Sequence, residues 1–343
     1  MSDFKLQCPL PQAPEQVLLA HGGGGRLMQN LLQKQIFPAL QSDWLKAPHD
    51  GALLAEGLAF TTDSYVVSPL EFPGGDIGSL AVFGTVNDLA MCGARPRWLS
   101  LALILEEGLP LEQLQRILHS IQQAAGRCQV EIVTGDTKTV ERGKGDGLFI
   151  TTTGLGTLLS TPPPHPSRIQ TGDAILINGD LGRHGLAVLA QRQKLELEGP
   201  LFSDCAPVHA EVEALLQAGI ELRCLRDPTR GGVASVLHEL AQASGLSFQL
   251  EETCLPLHEE VQAVCEILGF DPLYLANEGK FLAFVPAPQA EAALQILKHF
   301  NSEAAQIGAV TQASPTPTVN LKSPWGTTRT LDLLSGEQLP RIC

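Results

Sequence analysis

Five aspartates in this chain stand beside glycine or other small residues, where the local pattern reads as a strand end or a turn. Asp50 lies in His49-Asp50-Gly51-Ala52, Asp63 in Thr61-Thr62-Asp63-Ser64, and Asp88 in Val86-Asn87-Asp88-Leu89. Asp136 lies in Thr134-Gly135-Asp136-Thr137-Lys138, and Asp227 in Asp227-Pro228-Thr229-Arg230-Gly231-Gly232. Separate carboxylates that converge suit magnesium, which keeps several waters and bridges to phosphate through only a few protein oxygens. Any one of the five would also serve as a turn or N-cap aspartate. Together, with this flanking sequence, they point to one shared site.

The Asp227 motif runs straight into a helix expected over 233–243. Backbone N–H groups at a helix start attract anions. Gly231 and Gly232 would let a phosphate approach, and Arg230 could add a charged fork. His21-Gly22-Gly23-Gly24-Gly25-Arg26 is a second glycine run before a helix, but it lacks the Gly-Lys-Ser/Thr ending of a P-loop and also fits a flexible linker. Asn277-Glu278-Gly279-Lys280 offers a carboxylate and a lysine in a turn that could equally be solvated. The last residue is Cys343. A thiol there is expected to stay out of a packed core, because chain ends fray unless tied down, and it is too close to the end for a prenylation box. It reads either as a nucleophile on a mobile tail, able to carry a cargo between active sites, or as a harmless terminal residue.

The 343 residues suffice for two domains, each with its own core. No apolar run approaches the ~20 residues needed to span a bilayer, and Met1-Ser2-Asp3-Phe4-Lys5 lacks the features of a signal peptide. The expectation is a soluble cytoplasmic protein without a membrane role. A net charge of −14 and no basic stripe argue against nucleic acid, while an anionic nucleotide would need divalent bridges. The eight cysteines form no C-x-x-C pair, which speaks against disulfide frameworks and structural zinc.

Helices are expected over 27–37, 78–92, 111–127, 186–193, 208–218, 233–243, 259–268 and 290–300, from apolar residues near helical spacing. Strands are expected over 58–67, 98–105, 130–134, 148–155, 174–177, 246–250, 281–285 and 304–310. Ser160-Thr161-Pro162-Pro163-Pro164-His165-Pro166 can continue neither a helix nor a central strand and marks the domain boundary. The division is a lead-in over 1–42, an α+β domain over 43–160, a second over 167–325 and a flexible tail over 326–343. Such a tail has a typical end-to-end distance of roughly 25 Å and reaches about 60 Å fully extended.

Taken in order, the His21–Arg26 glycine run, Thr62-Asp63-Ser64, Asn87-Asp88-Leu89-Ala90-Met91-Cys92-Gly93-Ala94, Thr134-Gly135-Asp136-Thr137-Lys138, Asp227-Pro228-Thr229-Arg230-Gly231-Gly232, Asn277-Glu278-Gly279 and Pro340-Arg341-Ile342-Cys343 resemble the HypE family of hydrogenase maturation proteins over nearly the whole chain. The Asn-Asp-Leu-Ala, Gly-Asp-Thr and Asp-Pro-Thr-Arg-Gly-Gly motifs are shared with a wider PurM-like ATP-binding superfamily that includes aminoimidazole ribonucleotide synthetase, selenophosphate synthetase and thiamine monophosphate kinase. The Pro-Arg-Ile-Cys ending sets the HypE family apart. In one departure, four glycines stand where the family often has a serine in the loop, which would leave it more mobile.

The resemblance implies a two-domain PurM-like α+β fold that pairs into a homodimer around a shared β-barrel, with ATP and magnesium in a cleft between the domains. It implies that a carbamoyltransferase, HypF, loads Cys343, that the S-carboxamide is dehydrated to an S-cyanide (a thiocyanate), and that the cyanide passes to iron on a HypC–HypD complex for the [NiFe]-hydrogenase centre. An amide oxygen leaves poorly; phosphorylation makes it leave as phosphate, and two proton losses from nitrogen complete the nitrile. Asp50, Asp63, Asp88, Asp136 and Asp227 would hold magnesium, with Asn87, Gly135, Arg230, Gly231 and Gly232 also on the nucleotide. Lys138 and Glu278 match family positions near the modified cysteine. Glu278 is the more natural base, because a lysine is protonated at neutral pH unless desolvated; Lys138 suits neutralising charge on phosphate.

Two other readings stay open on the sequence. One is another superfamily enzyme, such as selenophosphate synthetase or a small-molecule kinase. The former generally places a reactive residue in its glycine loop, and the His21–Arg26 loop has no cysteine. The other is a carrier or scaffold whose thiol only docks, against which the full set of acidic motifs argues.

Overall fold

The computed structural model describes residues 16–46, 49–195, 199, 201–334 and 341–343. The chain is α+β and builds two main sheets. The first comprises β1 (Ala52–Leu54), β2 (Leu58–Tyr65), β5 (Ala94–Glu106), β6 (Glu131–Val140) and β7 (Leu148–Leu158) in the order β1-β2-β7-β5-β6. All its pairings are antiparallel except β5–β6. A small ribbon, β3 (Glu71–Phe72) and β4 (Gly75–Asp76), leads into the helix over Ile77–Met91. Ahead of this sheet, α1 (Arg26–Leu31) and α2 (Phe37–Leu40) flank a π-helical turn over Leu32–Ile36.

The helix α3 (Ile77–Met91) is the centre of the molecule. Asp76 caps it by accepting from Ser79 N–H at 2.8 Å. Thirteen of its fifteen residues are buried, so it has no solvent face to be amphipathic about. Leu80, Val82 and Phe83 join the core that α4 (Leu111–Cys128) closes with Ile117 and Ile121, whereas Ala90 and Met91 belong to a core of the second domain.

The second sheet runs β14-β13-β10-β12-β8-β11-β9. Its strands are β8 (Ala174–Ile177), β9 (Cys224–Arg226), β10 (Leu246–Glu251), β11 (Leu282–Val285), β12 (Ala305–Ala313), β13 (Val319–Lys322) and β14 (Thr328–Thr330). Alternation along β8 and β11 sends residues to two faces. Ile175, Ile177, Leu282 and Phe284 pack with α7 (Gly232–Ser244), while Ala174, Leu176, Ala283 and Val285 pack with α6 (His209–Gln217) and α9 (Ala290–Phe300). The helices α5 (Arg183–Gln193) and α8 (Glu259–Leu268) form a smaller cluster beside them.

Three sequence expectations change. Asp136 was placed at a strand end or turn, but β6 continues through Thr134-Gly135-Asp136-Thr137-Lys138 to Val140. Gly135 is fixed there by packing, since a Cβ would lie 2.2 Å from the Leu101 carbonyl oxygen of β5. The tail does not begin at 326. Thr328–Thr330 pairs with β13, and Leu331 and Leu333 are buried, because alternating apolar residues add a last edge to the sheet. Finally, Cys343 does not stand away from a core: it packs with Ile342 against the first domain's cluster. Gly336, Glu337, Gln338, Leu339 and Pro340 lie outside the described residues, as do Cys8 and the first fifteen positions.

Candidate functional site

A cavity of about 200 Å³ opens where the domains meet, lined by Asp50, Asp63, Asp88, Asp227, Arg230, Glu278 and Cys343 among others. Each comes from a different local device. Asp50 precedes β1, and Asp63 lies on β2. Asp88 lies on the one stretch of α3 that meets this cavity, where Gly84 lets the helix close to β2: a Cβ there would sit 2.3 Å from Tyr65 Oη. Asp227 and Arg230 occupy the turn from β9 into α7, and Glu278 the loop before β11. Among the described residues, Asp50, Asp88 and Asp227 bring carboxylate oxygens within 4.8 Å of one another. Thr61 Oγ1 lies 2.8 Å from both Asp88 Oδ2 and the Asp50 carbonyl, so its single proton is shared between the two segments.

Burial makes this charge costly. It raises Asp50, Asp88 and Glu278 well above the ordinary carboxylate range and pushes Asp227 up to about 6, with neighbouring carboxylates adding to each shift. Arg226 offsets part of this through an ion pair with Asp50. The cluster has room for a hard cation. All its donors are carboxylate oxygens, and among the described residues the buried Asp50 Oδ2 and Glu278 Oε1 have no hydrogen-bond partner. Asp50, Asp88 and Asp227 are therefore the residues that fit magnesium, with Asp63 at the same cavity.

The last three residues enter from the side of a second cavity of about 150 Å³ that shares Arg230 and Cys343 with the first. Val66 N–H donates to the Cys343 carbonyl at 3.1 Å, and Ser68 N–H to the Arg341 carbonyl at 3.4 Å. Arg341 spans Asp146 and the Val66 carbonyl. Burial pushes the Cys343 thiol up to about 12, with Arg230 working against the shift and Glu278, Asp63 and Asp227 reinforcing it.

Other expected site residues act elsewhere. Asn87 spends its amide on the protein: its Nδ2 donates to the Ala206 and Glu278 carbonyls at 3.0 and 3.2 Å, and its Oδ1 accepts from Val208 N–H at 2.9 Å. It pins the Glu278 loop to the first domain. Gly231 and Gly232 are positive-φ residues whose Cβ atoms would strike Ser235 Oγ at 2.3 Å and the Leu273 carbonyl at 2.5 Å. Gly24 of the glycine run packs on the Arg230 backbone, where a Cβ would lie 2.5 Å from the carbonyl oxygen. These glycines serve close packing of two loops beneath the cavity. Asp136 and Lys138 pair with each other at 2.6 Å on the exposed edge strand β6 and line neither cavity. Register sets Gly135 level with Asp63 through Leu101 and Thr152. Three strand spacings separate them, roughly 14 Å.

Sequence reasoning did not single out Arg226, the counter-ion of Asp50, or Thr61 as the bridge. Arg226 directly precedes Asp227 at the end of β9, a strand of three residues too short to show a pattern.

Family models for AIR synthase related protein match the chain, the N-terminal domain over residues 48–158 and the C-terminal domain over 170–320. The carbamoyl dehydratase HypE of Azotobacter vinelandii is 50% identical over 334 residues, covering 95% of this chain and 97% of that one. A solved HypE–HypF complex superposes with a TM-score of 0.85 at 43% identity, over 89% of this chain and 99% of the other. A HypE structure in complex with ATP gives 0.81 at 45% identity, over 96% and 100%.

The raised carboxyls have a consequence for stability. Below the ordinary aspartate range Asp227 is protonated in both folded and unfolded chains. As pH rises from 3.8 to about 6 the unfolded chain loses the proton first, so ligand-free stability falls across that window and stays lower above it. At most about 3 kcal/mol is at stake. We expect Asp227→Asn to gain stability relative to the parent between pH 4 and pH 7, measured by urea unfolding without nucleotide. An unchanged difference across the two pH values would refute the buried-charge account.

Proposed function

The chain belongs to the HypE family of carbamoyl dehydratases, and on that premise we propose that it dehydrates a carbamoyl group carried on Cys343 to a thiocyanate for hydrogenase maturation. One observation carries this reading: Cys343 lines the same cavity as Asp63, Asp227, Arg230 and Glu278. A substrate held on the chain itself meets these groups without capture from solution. Asp50, Asp88 and Asp227, with Asp63 beside them, would hold magnesium, and Arg230 would stand beside the reacting oxygen. ATP supplies the phosphoryl group that lets that oxygen leave as phosphate.

Glu278 accepts one of the two protons that leave the amide nitrogen, and the other departs on the phosphate. Burial and neighbouring carboxylates strengthen it as a base, and Arg230 favours the ionised form that can accept. Arg230 also faces the negative charge that develops on the departing oxygen, in a cleft where water screens little. The docked thiol is a poor nucleophile, because burial disfavours its thiolate and the same carboxylates add to the effect. Loading therefore belongs outside the cleft, at the carbamoyltransferase HypF. The nine residues after Leu334 span at most about 30 Å at ~3.3 Å each, which bounds the swing of the thiol. The cyanide then passes to a HypC–HypD complex.

We also propose a homodimer, with Asp136 and Lys138 serving the partner's cleft. They stand on an edge strand whose neighbours Ile132 and Val133 are 40% and 59% exposed, as are Trp98 and Ile104 at 37% and 39%. An uncovered apolar edge of this kind invites pairing with another copy.

The functional reading is tested by the mass of intact protein incubated with the carbamoyltransferase HypF, a carbamoyl donor and ATP. We expect Cys343 to gain one carbamoyl group and then to lose one water; the Cys343→Ala variant should show neither. Modification at a defined site in that variant would overturn the carrier role. The dimer reading has its own test. Lys138→Ala and Cys343→Ala chains are each expected to be inactive alone. Mixed and re-paired, they should recover about a quarter of parental activity, since half the dimers are mixed and each holds one intact site. No recovery would place Lys138 in the cleft of its own chain, and a Lys138→Ala chain active by itself would place Lys138 outside the reaction.

A further inference from the structure

The docked end of the chain is held by its backbone. Each of the last three carbonyls has a donor: Arg192 Nη2 on Arg341 at 2.6 Å, His184 Nε2 on Ile342 at 3.0 Å, and Val66 N on Cys343 at 3.1 Å. Two of the donors come from α5, a helix of the second domain that contributes nothing to the lining of the aspartate cavity.

His184 is fully buried and sits edge-to-face with Phe72, with ring centroids 5.4 Å apart. The Ile342 carbonyl can only accept, so Nε2 must carry the proton. The other nitrogen, Nδ1, lies 2.8 Å from Ser203 Oγ. Ser203 Oγ in turn accepts from Cys205 N–H at 3.0 Å, leaving its own proton for Nδ1. The Ile342 carbonyl thus fixes the tautomer, and Ser203, with its proton available to Nδ1, matches it.

We propose that His184, oriented by Ser203, is a positioning residue that latches the terminal segment in the cleft and sets the fraction of time Cys343 spends there. Arg192 holds the Arg341 carbonyl and, at 2.7 Å, the Ser68 carbonyl, so the latch joins the tail, β2's continuation and α5. The latch recognises main chain rather than side chain, and so accepts the thiol in any modification state. This last point rests on the carrier reading of Cys343; the latch itself does not.

The test uses the full chain, pulsed with iodoacetamide, with alkylation of the C-terminal peptide read by mass spectrometry. The buried thiols Cys92 and Cys128 report integrity of the fold in the same sample. His184→Met keeps bulk but removes the donor. We expect a five- to tenfold faster alkylation of Cys343, the factor for losing roughly one hydrogen bond, with Cys92 and Cys128 still protected. His184→Gln, which can donate to the carbonyl, should return toward the parental rate. Single-turnover dehydration of pre-carbamoylated His184→Met should slow, with the KM for ATP unchanged. A parental alkylation rate in His184→Met, or equal exposure in the Met and Gln variants, would overturn the latch. Should Cys92 and Cys128 become reactive in His184→Met, Ser203→Ala decides: faster Cys343 alkylation supports the latch and a parental rate overturns it. If the parental protein never dehydrates its cargo, the carrier reading fails while the alkylation result still stands for the latch.

Discussion

The structure depends on holding like charges together away from water. Asp50, Asp88, Asp227 and Glu278 face one cavity, and burial lifts each above the pH range where a carboxyl ordinarily ionises. Nothing in a stable core needs such an arrangement, because an apolar replacement of similar volume is often as stable or more so. The cluster persists because the surroundings over-determine it. Arg226 pairs with Asp50 and also lies 3.3 Å from Glu239, and Thr61 bridges Asp50 and Asp88. The central helix that carries Asp88 is locked between two domains. A divalent cation with a nucleotide phosphate, as proposed for this site, would offset that cost by binding.

The second domain reaches this cluster through main-chain contacts made by amides. Asn87 holds the Glu278 loop from below. Asn277 accepts from Gly182 N–H at 2.7 Å and donates to the Pro228 carbonyl at 3.0 Å, tying that loop to the Asp227 turn and to the start of α5. Lys280 sits buried between Asp180 and Asp204, at 3.6 and 3.7 Å. Glu278 therefore occupies a strap fixed on both sides, and α5, which holds the chain's end, hangs from the same network. The acid cluster, Glu278 and the last three residues share one frame.

The sequence exposed the frame unevenly. Asp227-Pro228-Thr229-Arg230-Gly231-Gly232 was legible because Pro and paired glycines can hardly occur inside a regular element, although the glycines serve packing more than phosphate. Long helices such as α4 and α9 were legible from apolar spacing. Strands β9, β13 and β14 were not, since three or four residues carry too little period unless all are apolar, as in β8 and β11, and Pro324 and Gly326 read as the start of a loose tail. Leu331, Leu333 and Ile342 were the overlooked signal: isolated apolar residues in a polar stretch are there to be buried. Asp136 and Lys138 were legible as residues but not as positions, because β6 lies at the far edge of the sheet from Asp63. Nothing local marks His184 or Ser203, whose roles arise from contact with a segment 158 residues away in the first case.

The central claim is that the carbamoyl oxygen on Cys343 is activated in the cleft and leaves on phosphate, with this chain's carboxylates and arginine arranged around that transfer. It is tested most directly by loading Cys343 with a carbamoyl group bearing heavy oxygen, adding ATP for a single turnover, and analysing the inorganic phosphate. The account predicts that the label appears in phosphate as cyanide forms on the sulfur. Heavy oxygen found in water, with unlabelled phosphate, would contradict it.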